Sequence, residues 1–335
     1  MDDLPPPPYT PTVSNHRSIT LDSFSSIVAA FDRVIANGPN PLGGASTGSE
    51  ICATVVDVKG GKQIQAKSKI TPNPDLGQAL YGAVVAGDTQ MVDMLLQHGA
   101  CANTRPQSKK PSLVVAVERG DYEIVRKLLE QAEPDMEAKA ASGSTALYTA
   151  VSKGDKTLVR WLLNHGANAN AKPSGGQPNL FKAYSNGHKG VLETLLESPD
   201  INVDATPPGG TSTLWHVAEN SDRETLQALL SRGAKADAKP PGGATAMYRA
   251  AVRGDLETTE MLLFHGAKAD MSPPGGATAL WKVVDQGNES MARLLLRNGA
   301  DMNARRSGWD TALTCATTKG NVAMVRLLLE HRNNA

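Results

Sequence analysis

The chain has 335 residues and carries 34 basic against 34 acidic side chains, so no global field draws it to nucleic acid or to an anionic membrane. Its three cysteines, Cys52, Cys101 and Cys315, are too few and too widely spaced for a disulfide framework or a C-x-x-C zinc site. No apolar run approaches the roughly 20 residues of a membrane span, and the first residues lack the basic and apolar regions of a secretory signal. The expectation is a soluble protein of a reducing compartment, cytoplasmic or nuclear.

Residues 1–20 read as a proline-rich tail. Pro5 to Pro8 favour the polyproline II conformation, which loses little entropy on docking. Pro6-Pro7-Pro8-Tyr9 matches the PPxY pattern and resembles the ligands of WW domains, including those of HECT-type ubiquitin ligases. That resemblance implies a ligase partner for this end of the chain. Thr10 precedes Pro11, a context suited to proline-directed kinases.

Next, Leu21, Phe24, Val28, Phe31 and Ile35 recur at helical spacing, and Gly38-Pro39 would stop the helix. The spacing predicts an amphipathic helix within residues 21–38 that caps repeat 1, where Gly82, Val85 and Ala86 replace polar groups. Asp22, Ser23, Ser25, Ser26 and Asp32 on its polar face do not suit a membrane surface. Residues 39–74 read as a linker with a short strand near Ile51 to Val58. Lys59, Lys62, Lys67 and Lys69 are expected in a solvated basic loop.

From residue 75 to 335 one pattern repeats. Ala79-Leu80-Tyr81, Ser112-Leu113-Val114, Ala146-Leu147-Tyr148, Asn179-Leu180-Phe181, Thr213-Leu214-Trp215, Ala246-Met247-Tyr248, Ala279-Leu280-Trp281 and Ala312-Leu313-Thr314 follow one another at 33 or 34 residues. In the sixth unit Thr245 can cap a helix that Gly254 ends, and Asp255 can cap a second helix that stops at Gly266. Pro-Pro-Gly-Gly then fits a tight turn, with proline presetting φ and glycine accepting φ > 0. Such a hairpin cannot bury its apolar faces alone, so the units must stack.

Thr145-Ala146-Leu147-Tyr148, Thr278-Ala279-Leu280-Trp281, Gly187-His188 and the ending Leu162-Leu163-Asn164-His165-Gly166-Ala167-Asn168-Ala169-Asn170-Ala171 resemble the ankyrin-repeat family. The resemblance implies an all-α solenoid of about eight stacked helix-turn-helix units joined by Pro/Gly hairpin turns. Units 2 and 4 depart from it. They lose the second glycine and carry Pro134 or Pro199 with one added residue.

Two recurrent residue types could suggest chemistry. The aromatic position (Tyr81, Tyr148, Phe181, Trp215, Tyr248, Trp281) is expected to pack between neighbouring first helices, because helices spaced roughly 8 to 10 Å apart cannot hold a continuous ring ladder. His98, His165, His265 and His331 fall near the ends of successive second helices, too far apart to share a metal, and suit a helix C-terminus. No Ser/His/Asp or Cys/His set recurs, and the glycine-rich turns lack the Lys-Ser/Thr ending of a phosphate loop. Neither an enzyme nor a bound cofactor is expected.

The resemblance implies binding through a concave face built from the turns and the first helices. Carried onto this chain, the face includes Arg119, Lys153, Lys182, His216, Arg249, Arg253, Lys282 and Lys319 against Glu118, Glu219 and Asp285. The basic excess predicts a protein partner with an acidic segment. The alternative is a nucleic acid or other polyanion, whose binding would collapse with salt.

Overall fold

The computed structural model describes residues 50–56, 63–69, 74–104, 110–305 and 310–334. Pro6 to Tyr9 and the helix expected at 21–38 lie outside the described residues. The chain divides into two units between Leu76 and Gly77.

In the first unit, β1 (Glu50–Val56) pairs antiparallel with β2 (Gln63–Lys69), Ala53 opposite Ala66. The second strand has no counterpart in the sequence reading, which placed Lys67 and Lys69 in a loop.

The second unit is built of helices joined by turns, with no strand among its described residues, and its first helix begins three residues before the division. Its helices come in pairs: α1 (Pro74–Ala86) with α2 (Thr89–Gln97), α3 (Ser112–Arg119) with α4 (Tyr122–Gln131), α5 (Ala146–Lys153) with α6 (Lys156–Asn164), and α7 (Asn179–Ser185) with α8 (Lys189–Glu197). Four more pairs follow, α9 (Thr213–Glu219) with α10 (Arg223–Ser231), α11 (Ala246–Arg253) with α12 (Leu256–Phe264), α13 (Ala279–Gln286) with α14 (Glu289–Arg297), and α15 (Ala312–Thr318) with α16 (Val322–Asn334). First helices pack on first helices and second on second, as in α9 against α11 and α7's partner α8 against α6.

Short-range chemistry sets these boundaries. Thr245 accepts from the Tyr248 amide to open α11, Gly254 ends it at φ 82°, and Asp255 accepts from the Thr258 amide to open α12. Where Ser221 takes the internal glycine's place, it adopts φ 54° and its hydroxyl lies 2.6 Å from the Asp255 carboxylate of the next repeat. In repeat 2, Ala132 fills the second-glycine position and the left-handed conformation moves to Glu133, at φ 41°. The added residue therefore absorbs the turn.

Each repeat contributes one leucine-rich layer to a continuous core. Leu147, Leu158, Leu162, Leu180, Leu195, Leu214, Leu226 and Leu229 are fully buried, while Ala116, Ala150, Ala183 and Ala250 let adjoining helices approach closely. In α12 the buried set is Thr258, Thr259, Leu262 and Leu263, with Met261 only half-buried. At the far end Leu327 and Leu328 are buried, leaving Leu329 exposed.

A backbone ladder ties the repeat ends together. The side chain of Asn170 accepts from the Asn202 amide at 2.8 Å, Asp204 from Lys235 at 2.9 Å, Asp237 from Lys268 at 2.8 Å, and Asp270 from Asp301 at 2.7 Å. The turns themselves close by hydrogen bonds such as Gly243 N to Pro240 O at 3.0 Å. Pro241 and Gly242, at φ 67°, fit the middle positions of a type II turn.

Candidate protein-binding face

The eight candidate residues occupy two different rows of the first helices. Arg119, Lys153, Arg253 and Lys319 each stand directly before the internal glycine, and this row reaches back to the preceding repeat. Arg119 Nη1 donates to the Val85 carbonyl at 3.0 Å, Lys153 Nζ to Glu118 at 2.7 Å, and Arg253 Nη2 to Ala218 at 2.9 Å. Lys319 donates to the Asp285 carbonyl. Neutral residues in the same position do likewise: Asn186 donates to the Ser152 carbonyl at 3.2 Å and Gln286 to Val252 at 3.0 Å.

Those carbonyls lie at helix C-termini, where no intrahelical donor remains and a cation is favoured. The row is therefore a set of tethers between repeats. Sequence reasoning counted its cations as available to a partner. The signal that could have separated them is their constant place before the glycine, shared with uncharged Asn186 and Gln286.

The second row is Lys182, His216, Arg249 and Lys282, one residue from each of α7, α9, α11 and α13. Every member follows an aromatic: Phe181, Trp215, Tyr248 and Trp281. The Arg249 guanidinium lies 5.8 Å from the Trp215 ring centroid, and Lys282 Nζ 5.7 Å from that of Trp281. His216 is half-buried and meets Phe181 and Trp215 edge-on, with centroids 5.0 and 5.2 Å away. Phe181 and Trp281 are buried, whereas Trp215 and Tyr248 remain half-buried, with Trp215 Nε1 donating to the Ala244 carbonyl at 3.1 Å.

Electrostatics differ along this row. Burial pushes the His216 imidazole below its ordinary value, against the opposing pull of Glu219, so it is neutral near pH 7. Glu219 accepts from Arg249 Nε at 2.8 Å and pairs with Arg253 Nη1 at 3.0 Å. The Arg249 hydrogen bond holds the Glu219 carboxyl below the ordinary glutamate value of 4.5, with burial opposing. A carboxyl depressed in the folded state contributes stability that is present above its unfolded pKa and lost as pH falls through its folded pKa. Glu219→Gln is therefore expected to lower the thermal midpoint at pH 7 and to flatten the acid limb below about pH 4.5. A variant whose midpoint falls with acidification as steeply as the parent's would contradict this.

Elsewhere the histidines act locally. His98, His165 and His265 each place Nδ1 within 2.7 to 2.9 Å of the carbonyl four residues earlier. Among the described residues no cluster of His, Cys, Asp and Glu could hold a metal ion, and no helix is long and apolar enough to cross a membrane.

The family model for ankyrin repeats (3 copies) matches residues 113–207, 180–273 and 268–335. The human transient receptor potential cation channel subfamily A member 1 is 28% identical over 190 residues, covering 52% of this chain and 17% of that protein. The mouse B-cell lymphoma 3 protein homolog is 29% identical over 240 residues, covering 69% of this chain and 51% of that protein. The chain thus spans about half or less of the length of these curated relatives. Among solved structures, the ankyrin repeat domain of Bcl-3, described as a unique member of the IkappaB protein family, superposes with a TM-score of 0.50 at 25% identity. That match covers 74% of this chain and 97% of the other.

Proposed function

The chain belongs to the ankyrin-repeat family, and from that premise we propose that it is a non-catalytic protein-interaction scaffold whose partner lies along the first helices of repeats 4 to 7. The observation that carries this reading is the middle of the row, where Trp215-His216 and the Tyr248-Arg249 pair stay only half-buried or exposed between Lys182 and Lys282, while Phe181 and Trp281 are buried at its two ends. Trp, Tyr and Arg dominate the energetic centres of protein interfaces because they combine large apolar area with a fixed polar group. Lys182 and Lys282 favour an acidic segment at the two ends of the row. A general polyanion is the poorer fit, since Arg119, Lys153, Arg253 and Lys319 already bond within the stack.

The test is hydrogen exchange on the full chain, alone and with a partner recovered by affinity purification. Slower exchange in 181–186, 215–220, 248–253 and 281–286 is expected. Protection confined to the second helices would overturn the reading.

Pro6 to Tyr9 extends the same proposal: the tail recruits a WW-domain ubiquitin ligase, making the protein an adaptor or the ligase's own substrate. A peptide of residues 1–14 is expected to bind WW domains and to lose that binding with Tyr9→Ala. No binding, or binding indifferent to Tyr9, would leave the repeat scaffold standing without the ligase. The cytoplasm or nucleus is the compartment this reading requires.

A further inference from the structure

One row of the array is used by neither the tethers nor the proposed binding face. Lys139, Lys172, Thr206, Lys239 and Ser272 occupy equivalent places at the base of successive turns, 33 or 34 residues apart, and all five are exposed. The basic run is broken at two places by a hydroxyl residue, Thr206 and Ser272; the turn proline follows each of them, as it also follows Lys172 and Lys239, and Pro207 is buried.

Thr206 stands out for what surrounds it. A cleft of about 390 Å³ opens at the joint where repeat 4 carries its added residue, and Lys172 and Thr206 both line it. Pro178 stands at the helix N-cap there and makes no side-chain cap. Lys239 holds the equivalent place in the next repeat, and the turn that follows it abuts the turn that follows Thr206: a Cβ on Gly210 would lie 2.8 Å from the Pro241 ring. Asp204 also lines the cleft, its Oδ1 accepting the Lys235 amide at 2.9 Å, and its negative charge opposes a second anion there that flanking lysines must outweigh.

We propose that Thr206 is a phosphoacceptor for a proline-directed Ser/Thr kinase, and that its phosphate is held between Lys172 and Lys239. Proline in the next position keeps Thr206 out of helical conformation and presents no N–H to be left unpaired in a kinase groove. Thr206 Oγ1 attacks the γ-phosphorus of ATP held by the kinase. An O–P bond forms to Thr206, the bond to the β,γ-bridging oxygen breaks, ADP departs, and the hydroxyl proton passes to the kinase's carboxylate base. The product carries roughly −1.5 to −2 charge at pH 7, placed where the row otherwise has a gap. Two charge-assisted contacts then link the turns on either side of repeat 4's irregular joint.

The full chain is treated with ATP and a purified proline-directed kinase beside a peptide of residues 200–212, and the sites are mapped by mass spectrometry. Thr206 is expected to be labelled in the folded chain at a rate within about tenfold of the peptide, since only a local turn must open. Thr206→Ala removes that label. A pH titration followed by phosphorus NMR then reads the phosphate's second ionisation, ordinarily about 6. It is expected lower in the folded chain than in the peptide and restored by Lys172→Ala with Lys239→Ala, variants outside the core. The proposal is overturned if Thr206 stays unlabelled in the folded chain, if only Ser272 is labelled, or if the phosphate titrates as it does in the peptide.

Discussion

Leu195→Ala is expected to destabilise the repeat array by about 2 to 5 kcal/mol, since it removes a fully buried side chain and leaves a cavity between helices that relax only partly. Leu195 lies in α8, within an interior repeat, so both neighbours lose contacts with it. Stability in a stack is approximately a sum of repeat terms and nearest-neighbour interface terms. Weakening one interior repeat should therefore broaden urea unfolding and lower its apparent m-value as the two flanks separate. Leu329→Ala is the control, because Leu329 is 40% exposed at the end of the array. Equal effects from the two substitutions, measured by circular dichroism, would mean that the core is not shared between repeats.

Combined Lys182→Glu, Arg249→Glu and Lys282→Glu is expected to weaken capture of an acidic partner by more than about tenfold, the effect of at least 1.4 kcal/mol, by bringing like charges together along one row. Folding should persist at some cost in stability: none of the three reaches a carbonyl of the preceding repeat, but Arg249 gives up its hydrogen bonds to Glu219, so the midpoint of the variant is to be measured beside its affinity. Arg253 is left intact for the opposite reason: it donates to the Ala218 carbonyl and pairs with Glu219. Replacing Arg119, Lys153 and Arg253 by alanine should instead lower stability by about 0.5 to 1.5 kcal/mol per lost hydrogen bond, with partner affinity per folded molecule little changed. If the tether variants lose the partner while remaining folded and the aromatic-row variants keep it, the two rows have been assigned the wrong way round.

These contrasting variants rest on a distinction that the linear order of residues conceals. Arg249 and Arg253 stand four apart on one helix with the same charge, yet one meets a carboxylate of the preceding repeat and the other a backbone carbonyl as well. Their partners are 30 and 35 residues away. Helical periodicity places both on an exposed side, and only the stacking of one repeat on the next decides what that side meets.

What the sequence by itself determined is the set of features governed by contacts within a few residues. Thr245 and Asp255 announce helix starts because a side-chain oxygen reaches an amide three residues on. Gly254 announces a helix end because the left-handed conformation strains other residues. The 33-residue period of such signals implies stacking, since a lone hairpin has no core. Tertiary structure alone decided which cations are tethers, how His216 is desolvated between Phe181 and Trp215, and that the added residue of repeat 4 lies beside a cleft. Each of these depends on the distance between groups in different repeats, and that distance is set by how side chains fill the space between neighbouring helices.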